Sequence, residues 1–327
     1  GIPPAVSSTA LRSPMSQATA NRSTEADTKA EPRPTTVVTA TVRERRRLSP
    51  SFVRVTLVGE GLERFVFQGY DQWFRMFLAR EGEGRMHLPA GSHDDAWYAR
   101  YQAAPEGQRT WMRYVTVADF RTGSEPASRP ADGAAWEPAT GSDAGATEMD
   151  VDVVVHGEPG DPGSGPLSTW AQTVHAGDRV ALLDQGPIFR PELADEELLL
   201  LGDETAVPAI AGILKRLPAR TRGRALLEVP YADDVQDLTT ASGVTVTWLP
   251  RHGVEEVPGQ RLLDVVREQV LRPANDGARP DKAYVYAAGE MKLTKALNQL
   301  LRTERDWPKE RLTIVGYWHF QGGAELR

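Results

Sequence analysis

The chain contains no cysteine. Disulfides, iron–sulfur clusters, thiolate zinc sites and a cysteine nucleophile are therefore excluded. Histidine is also scarce, with six residues at positions 87, 93, 156, 175, 252 and 319. None of them falls in an HExxH motif or in another metal-binding spacing. We therefore expect no protein-bound metal centre.

Long apolar runs and an excess of basic charge are absent as well. No apolar run approaches membrane-spanning length, and the N-terminus lacks the core of a signal peptide. The net charge is −7, which argues against a nucleic-acid-binding surface. We expect a soluble, cytoplasmic, monomeric protein that binds no nucleic acid and does not insert into a membrane.

The 327 residues suit two domains of ordinary size. Residues 1–35 are rich in Ser, Thr, Ala and Pro, which predicts a disordered leader. In residues 36–190, short strands and turns predict an N-terminal antiparallel barrel or sandwich, of which we take the six-stranded β-barrel as the fold, interrupted by a low-complexity loop at 122–147. In residues 191–327, strands alternate with helices, which predicts an α/β domain with a mostly parallel sheet.

The six segments predicted as barrel strands are short and separated by turn residues. They are TVVTATVRERRRL, FVRVTLVGE, WFRMFLAR, RTWMRYVTVADFR, MDVDVVVHG and RVALLDQGP.

Residues 151–178 combine a strand, a glycine-rich loop and a short helix. Val151, Val153 and Val155 alternate as in a strand, and the loop GEPGDPGSGP follows. Ser168 is predicted to cap the next helix, STWAQTV. A loop of this kind before a helix N-terminus favours an anion such as phosphate. An ordinary long loop in a β domain is the alternative interpretation.

Two strand-to-helix turns lie at the carboxyl edge of the predicted parallel sheet. They are Gly202-Asp203-Glu204-Thr205 and Ala288-Gly289-Glu290. Ligands of such sheets bind at this edge, although neither turn is a GxGxxG fingerprint.

Four motifs occur in order: HG…GPLSTW…GD at 156–178, LLLLGDETAVPAI at 198–210, YVYAAGE at 284–290 and GYWHFQGGAE at 316–325. Together they resemble the siderophore-interacting protein family of the ferredoxin-reductase-like superfamily, whose members are FAD-containing ferric-siderophore reductases. The resemblance covers residues 36–327. It implies that the barrel binds FAD and that the α/β domain binds NAD(P)H.

The same resemblance implies roles for individual residues. The residues implied to bind FAD are Arg113, Thr116, His156, Gly157, Gly165, Pro166, Leu167, Ser168, Thr169 and Trp318. Those implied to border the nicotinamide cofactor are Gly202, Asp203, Glu204, Thr205, Gly289 and Glu290. Arg75 and Arg251 are implied to attract an anionic ferric siderophore.

Some of these residues have other interpretations. Asp203 and Glu204 could cap the helix that follows them. His156 could be a strand-end histidine bonded to a neighbour, and Trp318 a core residue of the last strand.

The flavin motif of the family, Arg-x-Tyr-Thr-x-Arg, aligns with residues 113–118. Val115 replaces the tyrosine and Ala118 replaces the second arginine. Loss of the ring and of the guanidinium predicts that FAD is held mainly by its phosphates.

The resemblance implies electron transfer from NAD(P)H through FAD to a ferric siderophore, with release of Fe(II). Ferredoxin is an alternative electron donor. We expect no catalytic acid or base, because hydride transfer between cofactors needs no protein base. The alternatives are a general NAD(P)H:flavin reductase, and a non-enzymatic binder of siderophores or other small molecules with weakened FAD binding.

Overall fold

The computed structural model describes residues 37–123, 146–252, 257–271, 283–319 and 326, except for residues 81, 84, 90–94 and 196. The predicted leader and most of the predicted loop at 122–147 lie outside the described residues. The chain divides into two compact units, and the division falls between Ile188 and Phe189. None of the helices in the described ranges combines the length and the hydrophobicity that a membrane crossing requires.

The first unit is built on an antiparallel sheet, which has seven strands in the described part of the chain. The strands are β1 (Val37–Ser49), β2 (Phe52–Val58), β3 (Trp73–Leu78), β4 (Trp111–Thr116), β5 (Asp119–Arg121), β6 (Glu148–Val154) and β7 (Arg179–Gly186). Their order in the sheet is β4-β3-β7-β1-β2-β6-β5.

The predicted count of six strands is wrong, because one predicted strand is two. Residues 109–121 break at Val117 and Ala118, and β4 pairs with β3 whereas β5 pairs with β6. The Val117 N–H donates to the Gln72 carbonyl and the Ala118 N–H to the Asp150 carbonyl, both at 2.9 Å. These two residues therefore join the two edges of the sheet and close it into a barrel.

Alternation along the strands fills the barrel. Val151 and Val153 of β6 lie in the interior cluster, whereas Asp150 and Asp152 lie on the other face and bond to arginines. The helical segments of this unit are a 3₁₀ turn (Glu60–Arg64), α1 (Asp95–Ala103) and α2 (Gly165–Thr173).

Helix α1 packs on the outer face of the barrel. Trp97 and Tyr101 contact Phe77 of β3 edge-on, with ring centroids 5.3 and 5.0 Å away. The sequence analysis did not predict this helix.

The second unit has a sheet of five strands in the described residues, and every pair in it is parallel. The strands are β8 (Glu197–Gly202), β9 (Arg222–Val229), β10 (Gly243–Pro250), β11 (Ala283–Glu290) and β12 (Leu312–Trp318). The helices are α3 (Val207–Arg216), α4 (Gln260–Val265) and α5 (Met291–Gln299), and π-helical turns (Val266–Val270, Leu300–Glu304) extend the last two. The 3₁₀ turns are Pro191–Leu193, Glu204–Ala206, Ala232–Asp234 and Lys309–Arg311. The predicted fold class, an antiparallel barrel followed by a parallel α/β domain, is confirmed.

The strand order β10-β9-β8-β11-β12 places a switch point between β8 and β11. The chain moves outward from β8 to β10 and then returns to β11 on the other side. In such sheets, ligands bind at the carboxyl ends of the strands beside the switch point. The turns after β8 and β11 both lie there.

The short strand β5 is held by Arg121, whose side chain is 14% exposed and bonds to Asp119, Glu148 and Asp150. We predict that Arg121→Ala lowers the free energy of unfolding by about 3 kcal/mol, because the partly buried Glu148 and Asp150 each lose one of two arginine partners. Urea unfolding measures this. The exposed β7 variant Arg179→Ala is the control, and equal losses in the two variants would contradict the prediction.

Candidate functional site

Helix α2 begins earlier than predicted. It starts at Gly165, and Pro166 occupies its first turn, where the fixed φ of proline suits a helix and its missing N–H is not needed. Ser168 therefore lies inside the helix, and its prediction as the cap is wrong. The residue at the cap position is Ser164, whose side chain makes no capping hydrogen bond.

The hydroxyl groups of this segment bond to the loop that precedes it. The Ser168 Oγ accepts from the His156 N–H at 3.1 Å and lies 3.1 Å from the Ser164 Oγ. The Thr169 Oγ1 accepts from the Gly160 N–H at 3.2 Å. These bonds fix the loop on the helix. The roles predicted for Ser168 and Thr169 at a pyrophosphate stay predictions.

The outer side of the loop is open. A Cβ atom at Gly160, Gly163 or Gly165 would meet no heavy atom within 4 Å. Gly157, Gly160 and Gly165 have φ of +69°, +86° and +72°, which only glycine adopts at little cost. An open glycine loop at a helix N-terminus, where backbone N–H groups lack helical partners, fits the pyrophosphate of FAD. The exposed side chain of His156 and the half-buried Pro166 and Leu167 belong to the same segment.

The β4 residues predicted to hold the flavin lie on both faces of their strand. Val115 packs in the barrel interior, and burial lowers the pKa of Arg113. Tyr114 lies on the opposite face, edge-on to Trp73 at 5.0 Å between ring centroids. Thr116, two residues after Tyr114, is half-buried and pairs with Trp73 across the sheet.

Arg75 pairs with Tyr114 across the sheet, and its guanidinium is covered by helix α1. The guanidinium carbon lies 3.7 Å from the ring centroid of Tyr98 and 6.0 Å from that of Tyr114. The Arg75 Nε has no hydrogen-bond partner among the described residues, and no described carboxylate forms a salt bridge with Arg75. Its positive charge is therefore not neutralised by a described group.

In the second unit, the predicted cofactor residues at the switch point converge on Asp203. The Asp203 Oδ1 accepts from the Thr205 N–H at 2.9 Å and from its hydroxyl at 2.6 Å. The Oδ2 accepts from the Glu290 N–H at 2.7 Å and from the Trp318 Nε1 at 2.9 Å. Burial, and then the nearby Glu204 carboxylate, raise the pKa of Asp203 to about 7.

Both turns require glycine because neighbouring atoms leave no room for a Cβ atom. A Cβ at Gly289, where φ is +148°, would lie 2.6 Å from the Asp203 Oδ2. A Cβ at Gly202 would lie 2.6 Å from the Cβ of Ala206. Glu290 caps helix α5 by accepting from the Lys292 and Leu293 N–H groups. The alternative interpretation of Asp203 as a cap also holds in part, because it caps the turn at Glu204–Ala206.

Glu204 takes part in a buried ion triad instead of a cap. Arg251, which is 4% exposed, donates both Nη groups to Glu204 at 3.0 and 2.7 Å. It also donates to the Glu228 Oε1 at 2.7 Å. Burial lowers the pKa of Arg251, but the two carboxylates outweigh it and raise that pKa overall. In this geometry the guanidinium charge of Arg251 is neutralised by carboxylates inside the protein.

Glu228 is the residue of this edge that the sequence analysis missed. Its carboxylate accepts from the Gly259 N–H at 2.7 Å and from the Leu262 N–H at 2.8 Å, and thereby caps helix α4. The signal in the sequence is a glutamate in the apolar run ALLEVPY, because a buried charge requires partners.

Trp318 stays a predicted FAD-binding residue. It is half-buried at the end of β12, and its indole N–H is engaged by Asp203. Among all the residues that the structure describes, no three His, Asp or Glu side chains lie together as metal ligands would.

The raised pKa of Asp203 predicts a pH-dependent stability. Between pH 4 and 7 the folded protein binds a proton at Asp203 that the unfolded chain lacks, so the free energy of unfolding falls as the pH rises. Asp203→Asn removes this contribution. We expect the stability of the unmodified protein to fall relative to the variant by up to about 1.4 kcal/mol per pH unit in this window.

Urea unfolding between pH 4 and 8 tests this prediction, with Asp233→Asn at an exposed position as the control. Parallel stability profiles for the unmodified protein and for Asp203→Asn would contradict it.

The buried triad predicts a structural role for Arg251. Arg251→Met leaves Glu204 and Glu228 facing each other, and we expect the free energy of unfolding to fall by about 3–5 kcal/mol. Adding Glu204→Gln and Glu228→Gln should restore most of it. Arg220→Met, which breaks an exposed ion pair with Asp195, should cost less than about 1 kcal/mol. A stable Arg251→Met variant with weakened siderophore binding would instead support the predicted substrate role.

Comparison with known proteins places these features in one family. The family described as "Siderophore-interacting FAD-binding domain" matches residues 41–128 and 139–188, and "Siderophore-interacting protein" matches residues 195–321. The chain is 28% identical over 277 residues to the ferric vibriobactin reductase ViuB of Vibrio cholerae, which covers 84% of this chain and 86% of that protein.

Solved structures agree with this assignment. A siderophore utilization protein from T. fusca superimposes with a TM-score of 0.66 and 25% identity, over 91% of this chain and 97% of that one. A ferredoxin NADP+ reductase from Neisseria gonorrhoeae, solved with FAD and NADP, matches at a TM-score of 0.51 and 14% identity, over 82% of this chain and 91% of that one. The second likeness shows the fold alone. The two family matches together span most of the chain, which therefore belongs to the siderophore-interacting protein family.

Proposed function

We propose that this protein is a ferric-siderophore reductase that binds FAD in its first unit and receives electrons from a nicotinamide nucleotide. Its substrate is the Fe(III) complex of a siderophore, and its product is Fe(II). The observation that carries the proposal is the glycine loop at 157–165. Hydroxyl groups of helix α2 hold the loop, and its glycines at 160, 163 and 165 have open space beside them.

The loop supports FAD binding because the backbone N–H groups that would donate to the phosphates are already held in position. The Ser164, Ser168 and Thr169 hydroxyls bond within the segment, so the first turn of α2 needs no rearrangement to accept an anion. A preformed site avoids the entropy of ordering a loop on binding. The open glycine positions allow the phosphates to approach the backbone.

The grip on the flavin ring is weaker than the grip on its phosphates. Val115 packs in the barrel interior, where it offers no aromatic face. FAD is therefore held chiefly through its pyrophosphate, and the protein exchanges flavin with the solution.

Held by the loop at 157–165, FAD would supply two-electron acceptance from a nicotinamide nucleotide and single-electron donation to Fe(III). The siderophore oxygens bind Fe(II) more weakly than Fe(III), so reduction releases the metal. The protein contributes binding and orientation, and no side chain is required as an acid or base.

Attraction of an anionic ferric complex falls to Arg75. The guanidinium of Arg75 forms no salt bridge with a described carboxylate, whereas the guanidinium of Arg251 forms salt bridges with Glu204 and Glu228. An arginine keeps its charge at any pH that a cell reaches. Of the two arginines expected to bind substrate, Arg75 is therefore the one that the geometry supports.

Anaerobic spectroscopy tests the proposed reaction. Protein loaded with FAD is mixed with NADH or NADPH, and the flavin absorbance is followed. A ferric siderophore is then added together with a chromogenic Fe(II) chelator. We expect bleaching of the flavin, recovery of its absorbance and formation of the Fe(II) complex. Flavin reduction without Fe(II) would favour a general flavin reductase, and failure to bind FAD would favour a non-enzymatic binder.

The glycine loop gives a matched pair of variants for FAD binding. Gly163→Glu places a negative charge beside the proposed pyrophosphate, at a position with space for a side chain. We expect the Kd for FAD to rise at least about tenfold, which is a loss of about 1.4 kcal/mol in binding free energy. The free energy of unfolding should not change. Gly107→Glu, at an equally open position in the β3–β4 connection, should leave the Kd unchanged. Equal effects of the two variants would argue against the loop as the pyrophosphate site.

A further inference from the structure

The carboxyl end of β9 carries exposed groups that the reaction above does not yet use. Strand β9 is the second strand of the α/β unit and lies beside β8, the first. In dinucleotide-binding sheets, an acidic residue after the second strand bonds the adenosine ribose of NAD, whereas an arginine there accommodates the 2′-phosphate of NADP. The segment after β9 is therefore the place where this chain would distinguish NADH from NADPH.

Two apolar side chains are exposed in this segment. Tyr231 is 38% exposed and Val235 is 43% exposed, and the one other large hydrophobic residue with comparable exposure in the described ranges is Val66. Tyr231 and Val235 flank the 3₁₀ turn Ala232–Asp234. An aromatic ring and an aliphatic side chain, four residues apart, offer a surface for a flat base.

Hydrogen bonds fix the backbone that carries these two side chains. Asp234 is buried, and its Oδ2 accepts from the Tyr231 N–H at 3.1 Å. The Asp234 N–H donates to the Tyr231 carbonyl at 3.0 Å, and the Val235 N–H donates to the Ala232 carbonyl at 3.2 Å. The exposed pair is thus presented by a bonded turn and not by a loose loop.

The charge of the segment is negative throughout. Residues 228–240 contain Glu228, Asp233, Asp234 and Asp237 and no lysine or arginine. Glu228 and Asp234 are buried and engaged, whereas Asp233 is exposed and accepts no hydrogen bond from a described residue. Arg251, after the neighbouring strand β10, is neutralised by two carboxylates.

We propose that Tyr231, Asp233 and Val235 form an adenosine subsite that selects NADH over NADPH. Tyr231 and Val235 contact the adenine, and the Asp233 carboxylate accepts hydrogen bonds from the ribose hydroxyls. The same carboxylate repels a 2′-phosphate, for which the segment supplies no cation. The subsite rests on the proposed function in so far as the electron donor is a nicotinamide nucleotide.

The test is the steady-state rate at which each nucleotide reduces an artificial electron acceptor through the FAD-loaded protein. We expect kcat/KM for NADH to exceed that for NADPH at least about tenfold. Asp233→Arg should reduce this ratio at least about tenfold. Tyr231→Ala should raise the KM for NADH several-fold with little change in kcat, and Tyr231→Phe should restore it. Val66→Ala, which alters the exposed hydrophobic residue of the other unit, is the control and should change neither constant.

Equal use of the two nucleotides, or a preference for NADPH, would overturn the subsite. An unchanged KM in Tyr231→Ala would do so too.

Failure of the subsite can be distinguished from failure of the proposed function by a second measurement. The flavin is reduced with dithionite and then mixed with a ferric siderophore. If the siderophore reoxidises the flavin but neither nucleotide reduces it, the reductase stands with another donor, such as a ferredoxin, and the subsite is overturned. If NADH reduces the flavin with the expected preference but no Fe(II) forms, the subsite stands and the siderophore substrate is overturned.

Discussion

The carboxyl edge of the parallel sheet depends on one buried carboxylate, that of Asp203. It accepts four hydrogen bonds, which come from Thr205, Glu290 and Trp318. These donors follow or end β8, β11 and β12, so a single side chain ties three strand ends together. A buried carboxylate is costly unless its hydrogen bonds are satisfied. The glycine at 289 follows from the same constraint, because any larger residue would displace the carboxylate.

The two units offer opposite kinds of polar group to a ligand. The loop at 157–165 presents backbone donors at the start of a helix, which suits phosphate oxygens. The edge of the parallel sheet instead carries buried carboxylates, and its one described buried guanidinium, Arg251, is shared between Glu204 and Glu228. That edge therefore suits the hydroxyl and amide donors of a ligand better than its anionic groups.

Periodicity predicted most strands of both units, because alternating and continuous apolar runs report directly on burial. It did not predict the break at Val117 and Ala118, where the interior position shifts by one residue, from Val117 to Phe120, and the partner strand changes. Helix α1 was missed because its aromatic residues serve a barrel face that no local pattern reveals. The burial of Arg251 could not be predicted for the same reason, because its partners lie 47 and 23 residues away in the chain. Contacts of this kind are set by topology and not by neighbouring sequence.

The pairing of the barrel also sets the order in which the chain can fold. Strand β1 pairs with β7, so Val37 faces Leu183, and β7 pairs with β3 as well. Contacts between such distant residues form late, because a long loop must close first. During synthesis, the edge of β1 away from β2 and the edge of β3 away from β4 stay unpaired until Gly186 has left the ribosome. Since exposed strand edges are templates for aggregation, a nascent chain that ends before β7 is one that a chaperone would have to protect.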